Sequence, residues 1–184
     1  MTTLSPRKYS RKTIGSLCIS LFAISISNSG AVAADDEASW QSNPLVKLVR
    51  DSTRQFRDPQ VAIDMGYVPD PFCVSGRDEG GMGIHFVNGS LIGDGMVDAT
   101  MPEVLVYEPR PNGSLRLVAA EYITFAEPPV ALEGHLLNRS STPNRYGIPA
   151  PYLEIHVWAW KRNPKGTFAD NNPNVSCDAQ PLDS

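Results

Sequence analysis

The chain has 184 residues with 16 basic and 20 acidic side chains, so its formal net charge is −4. This acidic balance argues against nucleic acids and anionic membrane surfaces as partners, because both attract basic proteins. The length corresponds to one domain of ordinary size.

The first 33 residues have the three-part composition of a secretory signal peptide. Basic side chains precede an apolar, serine-containing run over residues 13–27, and Ala31-Val-Ala33 forms a typical cleavage site. The run is too short and too polar for a membrane span. We therefore predict an exported protein, periplasmic or extracellular, whose residues 34–184 form a single mature domain without a membrane span. Removing residues 1–33 leaves 16 − 4 = 12 basic residues against 20 acidic ones, a net charge near −8.

Two cysteines remain in the mature chain, Cys73 and Cys177. In an oxidising compartment such a pair most simply forms one disulfide, here closing a loop of roughly 100 residues. The alternative, a thiolate metal site, lacks a C-x-x-C pattern and further cysteine ligands. We predict the disulfide.

Helical patterns occupy the start of the mature chain, after a polar lead over residues 35–43. Apolar residues fall on one face over residues 44–56, which predicts a helix. The pair Asp58-Pro59 predicts the start of a second, short helix that ends at Gly66. Residues 70–81 are rich in glycine and charge, and predict a flexible connection or lid.

Strand patterns follow. Alternation over residues 82–88 predicts a strand with His85 on its less aliphatic face. Residues 103–108 and 115–125 flank an Asn-Gly turn and predict a hairpin. Counting by two from Leu115 places Glu121 on an apolar, buried face. Residues 127–150 predict a long crossing loop or a very short edge strand.

The last predicted strand, residues 152–160, has two different faces. One face is aliphatic, and the other carries His156, Trp158 and Trp160. Exposing two tryptophans to water would be costly, so we expect both faces to be covered by a helix, a second sheet, a barrel wall or a partner subunit. The Asn- and Pro-rich tail after residue 168 should be irregular.

Helices that precede strands, rather than alternate with them, indicate an α+β fold. We predict N-terminal helix or helices packed on an antiparallel sheet or partial β-barrel of four to five strands.

The candidate site consists of His85, His156, Glu121 and Trp158. We expect the two histidines on the same side of the sheet in a partly enclosed polar pocket. With Glu121 they could bind a divalent metal such as zinc, copper or non-haem iron, with Trp158 lining the ligand pocket. The alternative is a pair of structural histidines. Face counting puts Glu121 opposite the histidines unless a β-bulge intervenes.

Four segments together resemble a family of exported bacterial proteins of unknown function: residues 81–88, 102–109, 113–122 and 155–164. The motifs that carry the resemblance are a Gly-Met-Gly-x-His-aromatic strand and a His-Val-Trp-x-Trp-x-x-Asn-Pro segment. More weakly, the first of these and the Glu-Tyr strand are similar to a small bacterial family under envelope-stress control. The resemblance implies export and one domain, but no activity.

Three functions compete at this point. The first is binding of a metal or small ligand. The second is a structural or interaction protein, in which a homo-oligomer buries the tryptophan face. The third, a hydrolase-type enzyme, is least favoured because G-x-S-x-G and H-E-x-x-H motifs are missing.

Overall fold

The computed structural model describes residues 29–76, 78–141 and 147–180. Most of the predicted signal peptide lies outside these residues, so its cleavage stays a prediction. No helix in the described ranges is both long and apolar enough to span a membrane.

Helix α1 spans Ser29–Ser42, so the expectation of a loose polar lead over residues 35–43 is wrong. A tertiary contact explains the difference, because the Trp40 Nε1 group donates a hydrogen bond of 2.8 Å to the Trp158 carbonyl. In addition, Arg162 forms an ion pair with Asp36. Contacts to Trp158 and Arg162 thus hold helix α1 in place, although its sequence has no strong amphipathic pattern.

The predicted helices over residues 44–66 form as three short pieces. Helix α2 covers Pro44–Ser52, a 3₁₀ turn covers Arg54–Arg57, and helix α3 covers Pro59–Asp64. The Asn43 side chain accepts hydrogen bonds from two amides of the first turn of α2, and Asp58 accepts one from Gln60. Such caps satisfy amides that have no partner within the helix.

The sheet is antiparallel, six-stranded and curled into a half-barrel, with the strand order β1-β2-β3-β4-β8-β7. A separate two-stranded ribbon pairs β5 with β6. A short helix, α4 (Gly89–Ile92), follows β2. The strands are β1 (Val68–Gly76), β2 (Gly80–Val87), β3 (Val104–Pro109), β4 (Leu115–Thr124), β5 (Ala131–Leu132), β6 (His135–Leu136), β7 (Asn138–Ser140) and β8 (Tyr152–Val157).

The α+β class and the antiparallel sheet are confirmed, but the sheet has six strands rather than four or five. The short strand β7 forms one edge, and β1 forms the other where a loop was expected. Strand β1 contains Pro69 and Pro71, and its pairing with β2 shifts register between Pro69 and Cys73. Proline is tolerated at a sheet edge because its missing N–H is not needed there.

The predicted hairpin consists of β3 and β4, and it contains one irregularity that matters for the site. Val106 pairs with Ala119, whereas Tyr107 pairs with Leu117, so Val118 is an extra residue in β4. A β-bulge of this kind reverses the alternation of faces on its two sides. Leu117 therefore packs with Tyr107, and Ala119 lies on the opposite face with Val106.

Both faces of the sheet are covered by the same chain. Helices α2 and α3 and the 3₁₀ turn pack on one face, which we call the helix face. On the opposite face, which we call the tail face, Trp158 packs with Ile92, Ile148 and Val175. Because residues of the same chain cover Trp158, its burial does not require a partner subunit on this face.

Trp160 departs from the predicted alternation. Strand β8 ends at Val157, and a tight turn follows in which the Ala159 amide donates to the Val157 carbonyl over 2.8 Å. The Trp160 side chain therefore reaches the helix face, where its Nε1 group donates a 2.9 Å hydrogen bond to Thr53 Oγ1. The two tryptophans lie on opposite faces of the sheet.

The C-terminal tail is irregular, as expected, and is attached at several points. The predicted Cys73–Cys177 disulfide is present, with the two Cα atoms 5.6 Å apart. The Gly81 amide donates to the Val175 carbonyl over 2.9 Å, and the Asn172 amide donates to the Gly81 carbonyl over 3.0 Å. A Cβ atom at Gly81 would lie 3.0 Å from Val175, so glycine permits this close approach.

Candidate metal centre

Three strands bring His85, Glu121 and His156 to the tail face. In the paired strands Glu121 stands directly between Val104 of β3 and His156 of β8. His85 of β2 pairs with Val106, which lies two residues along β3 from Val104 and on the same face. The Glu121 side chain therefore reaches His85 across the width of β3.

The bulge at Val118 is what brings Glu121 to this face. Without it, Glu121 would share the face of Leu115 and Leu117, as the regular count from Leu115 indicates. With it, only Ala119 and Ile123 stay on the side of Glu121. Face counting alone predicted that Glu121 lies on the opposite face from the two histidines. That prediction is wrong, because the extra residue Val118 turns Glu121 to the face of the histidines.

The three side chains converge without hydrogen bonding to one another. Glu121 Oε2 lies 3.6 Å from His85 Nε2 and 3.8 Å from His156 Nε2, both beyond hydrogen-bond range. One ligand atom from each residue can be chosen so that all three lie within 4.8 Å of one another. The imidazole ring centroids are 6.2 Å apart and the rings are nearly perpendicular.

The cluster is closed to solvent. The exposed fractions of the His85, Glu121 and His156 side chains are 1%, 4% and 3%. The sequence predicted a partly enclosed pocket, whereas the three side chains are almost completely buried. Within the described residues, Glu121 Oε2 and His156 Nε2 have no hydrogen-bond partner. Leaving such atoms buried and unpaired is costly, which makes this arrangement unusual for a purely structural core.

Charges around the cluster are predominantly negative. Burial raises the pKa of the Glu121 carboxyl; the His156 charge lowers it, and the nearby Glu154 raises it further. For His156, burial lowers the pKa, but the carboxylates of Glu121 and Asp170 outweigh this effect and the net direction is upward. Three carboxyl groups thus lie near two imidazoles, and the upward shifts of both pKa values favour the protonated forms of Glu121 and His156.

Asp170 links the cluster to the C-terminal tail. Its Oδ1 atom lies 3.5 Å from His156 Nδ1, and this interaction with His156 lowers the pKa of Asp170. The tail is held here because the Trp158 indole donates a 2.5 Å hydrogen bond to the Ala169 carbonyl. A carboxylate on Nδ1 orients the ring so that Nε2 points toward Glu121.

Trp158 forms a wall beside the cluster rather than part of an open ligand pocket. Its ring is fully buried and stacks on His156 with ring centroids 6.4 Å apart. Together with the valines of β3, it surrounds the polar groups with apolar surface.

Sequence reasoning missed Asp170 and the role of Glu154. Glu154 precedes His156 by two residues in the same strand, so alternation along the strand could have found it. Asp170 lies in an irregular tail, where no periodicity indicates direction. Glu103, also missed, is a second buried carboxylate, and its Oε2 atom accepts a 3.2 Å hydrogen bond from the Ile123 amide.

Searches for similar proteins give no independent assignment of the site. No protein-family model, curated protein or solved structure matches the chain. The resemblance to exported bacterial proteins therefore stays a prediction.

Proposed function

We propose that this protein is an exported metal-binding protein that holds one divalent transition-metal ion between His85, Glu121 and His156. The observation that carries the proposal is the convergence of three buried ligand groups in which Glu121 Oε2 and His156 Nε2 lack hydrogen bonds within the described residues. A metal ion would satisfy both atoms. The disulfide supports an oxidising compartment.

The donor set favours zinc, copper or iron over calcium and magnesium. Two imidazoles with one carboxylate occur in zinc sites that have an open fourth position, and in non-haem iron sites. Zinc lies about 2.0–2.1 Å from such ligands, which places tetrahedral ligands about 3.4 Å apart. The two distances from Glu121 to the histidines, 3.6 and 3.8 Å, are slightly wider, and the full ligand set lies within 4.8 Å, so side-chain rotations would have to draw the three groups together. The closed surroundings support binding rather than turnover.

Metal titration of untagged, chelator-treated protein tests the proposal. We expect one zinc or copper ion per chain in the wild type, and a loss of at least 100-fold in affinity in His85→Ala and His156→Ala, because each variant removes one of three ligands. His135→Ala is the matched control, since His135 lies outside the cluster and contacts Phe168. Circular dichroism verifies that each variant is folded. Equal, weak binding by all four proteins would show that the histidines are structural.

Asp170→Asn should weaken metal binding without removing a ligand. The substitution keeps the shape of the side chain but removes the charge that orients the His156 ring, and losses of about 10- to 100-fold are typical for such partners. The measurement is zinc affinity at fixed pH. Asp178→Asn, in the same tail but outside the cluster, is the control. Unchanged affinity in Asp170→Asn would show that Asp170 does not position His156.

A further inference from the structure

A second feature, at the turn end of the β3–β4 hairpin, is a surface cavity of about 430 Å³ lined by three arginines, Arg57, Arg110 and Arg116. Its remaining lining consists of Leu115, Leu117 and Trp160, so no acidic side chain of the described residues lines it. Three of its six lining residues are basic, in a protein whose overall charge is negative. This local reversal of sign would attract an anion.

The arginines are available for a ligand. Within the described ranges, none of the three guanidinium groups forms an ion pair. The nearby acids are engaged elsewhere. Glu108, which pairs with Arg116 across the strands, receives two hydrogen bonds from Lys161 Nζ, at 2.6 and 2.8 Å. Asp58, next to Arg57, accepts a hydrogen bond from the first turn of α3.

Apolar side chains form the smaller part of the exposed cavity lining and are fixed in place. Leu117 is buried, and Trp160 is anchored by its hydrogen bond to Thr53. Thr53 is itself fully buried and donates a 2.5 Å hydrogen bond to the Val49 carbonyl. The Arg57 guanidinium lies 5.6 Å from the centre of the Trp160 ring, which places a charged group beside a planar apolar surface.

We propose that this cavity, which we call the arginine cavity, binds a small organic phosphate. The guanidinium groups would hold the phosphate oxygens, since their fork of N–H donors matches that geometry. The apolar body of the ligand, an aromatic ring or a similarly flat group, would lie against the exposed parts of Trp160 and Leu115. The arginine cavity shares no residue with the metal centre, so the two sites can be tested separately.

Calorimetric titration of chelator-treated protein with phenyl phosphate tests the assignment. We expect saturable binding of one molecule per chain, weakened at least tenfold at 150 mM salt relative to 20 mM salt, because exposed charges are screened. Inorganic phosphate should bind at least tenfold more weakly, because it lacks the ring. If inorganic phosphate bound as tightly as phenyl phosphate, the apolar part of the assignment would be overturned.

Two variants separate ligand binding from folding. Arg110→Gln and Arg116→Gln change exposed side chains, and each should weaken phenyl phosphate binding about tenfold or more, with circular dichroism unchanged. Arg54→Gln is the matched control, because Arg54 belongs to the same 3₁₀ turn as Arg57 but pairs with Asp51 outside the cavity. Absence of saturable binding in the wild type, or equal binding by the two cavity variants and the control, would overturn the proposal.

Discussion

Removal of the Cys73–Cys177 disulfide is expected to lower the free energy of unfolding by about 4 kcal/mol. The bridge joins cysteines 104 residues apart, and closing a loop of that length restricts the unfolded chain strongly. The folded chain also depends on the bridge, because Cys177 ends the tail segment that carries Asp170. We expect the double variant Cys73→Ala/Cys177→Ala to unfold at a clearly lower urea concentration than the wild type.

Urea denaturation followed by tryptophan fluorescence measures this effect. A reducing agent should shift the wild-type transition toward that of the double variant, and should leave the double variant itself unchanged. The same double variant should also bind zinc more weakly, since its tail is then held only by packing of Val175 and by hydrogen bonds such as that between Gly81 and Val175. A shift corresponding to less than about 1 kcal/mol would mean that those bonds fix the tail without the disulfide.

Replacing Glu103 by glutamine is expected to stabilise the protein by up to about 3 kcal/mol at pH 7. The pKa of Glu103 is raised from 4.5 to about 8, mainly by burial and further by the charges of Asp94 and Glu121, while the hydrogen bond from the Ile123 amide partly opposes the shift. Below pH 4.5 the carboxyl is protonated in both the folded and the unfolded chain. As the pH rises from 4.5 to 8, the unfolded chain releases the proton and the folded chain keeps it, so folding is progressively disfavoured by about 1.4 kcal/mol per pH unit.

The Glu103→Gln variant lacks this titration but keeps an oxygen that can accept the hydrogen bond from the Ile123 amide. Its free energy of unfolding should therefore match that of the wild type near pH 4 and exceed it increasingly up to pH 8. Glu127→Gln, at an exposed position, serves as the control with the same change of charge. Parallel pH profiles for Glu103→Gln and the wild type would show that Glu103 is ionised in the folded chain.

Regular alternation made part of the site predictable. Apolar side chains occupy every second position, at residues 82, 84 and 86 of the first strand and at residues 153, 155 and 157 of the last. His85 and His156 could therefore be assigned to the opposite, less aliphatic face of each strand. The structure places both histidines on one face, with their ring centroids 6.2 Å apart. The assignment holds because both strands are regular at those positions.

The position of Glu121 could not be predicted in the same way. Around the bulge, Leu117, Val118 and Ala119 are all apolar, so the sequence offers no sign that one of them is an extra residue. Only the pairing with β3 reveals it, because Val106 and Tyr107 of that strand are adjacent while their partners are two residues apart. A bulge is a property of two strands, and a single strand's pattern does not determine it.

Strand β1 and Asp170 were missed for a related reason. Pro69 and Pro71 argue against a strand, because proline has no backbone N–H group to donate. An edge strand needs such donors only on the side that faces its neighbour, and which strand forms the edge depends on the whole sheet. Asp170 takes its position from contacts that are distant in sequence, such as the bridge between Gly81 and Asn172. Long-range packing overrides local preference in both cases.

The two histidines and the glutamate of the candidate site come from three separate strands. The site can therefore form only after those strands have paired. His85, Glu121 and His156 are spaced 36 and 35 residues apart, and strand β3 must be in place between the first two. No hairpin of this sheet contains all three. A growing or unfolded chain therefore presents only isolated ligands, whose affinity for metal is that of single side chains. If an ion binds as proposed, it is expected to load after these strands have paired, so it would stabilise the finished fold without taking part in its early formation.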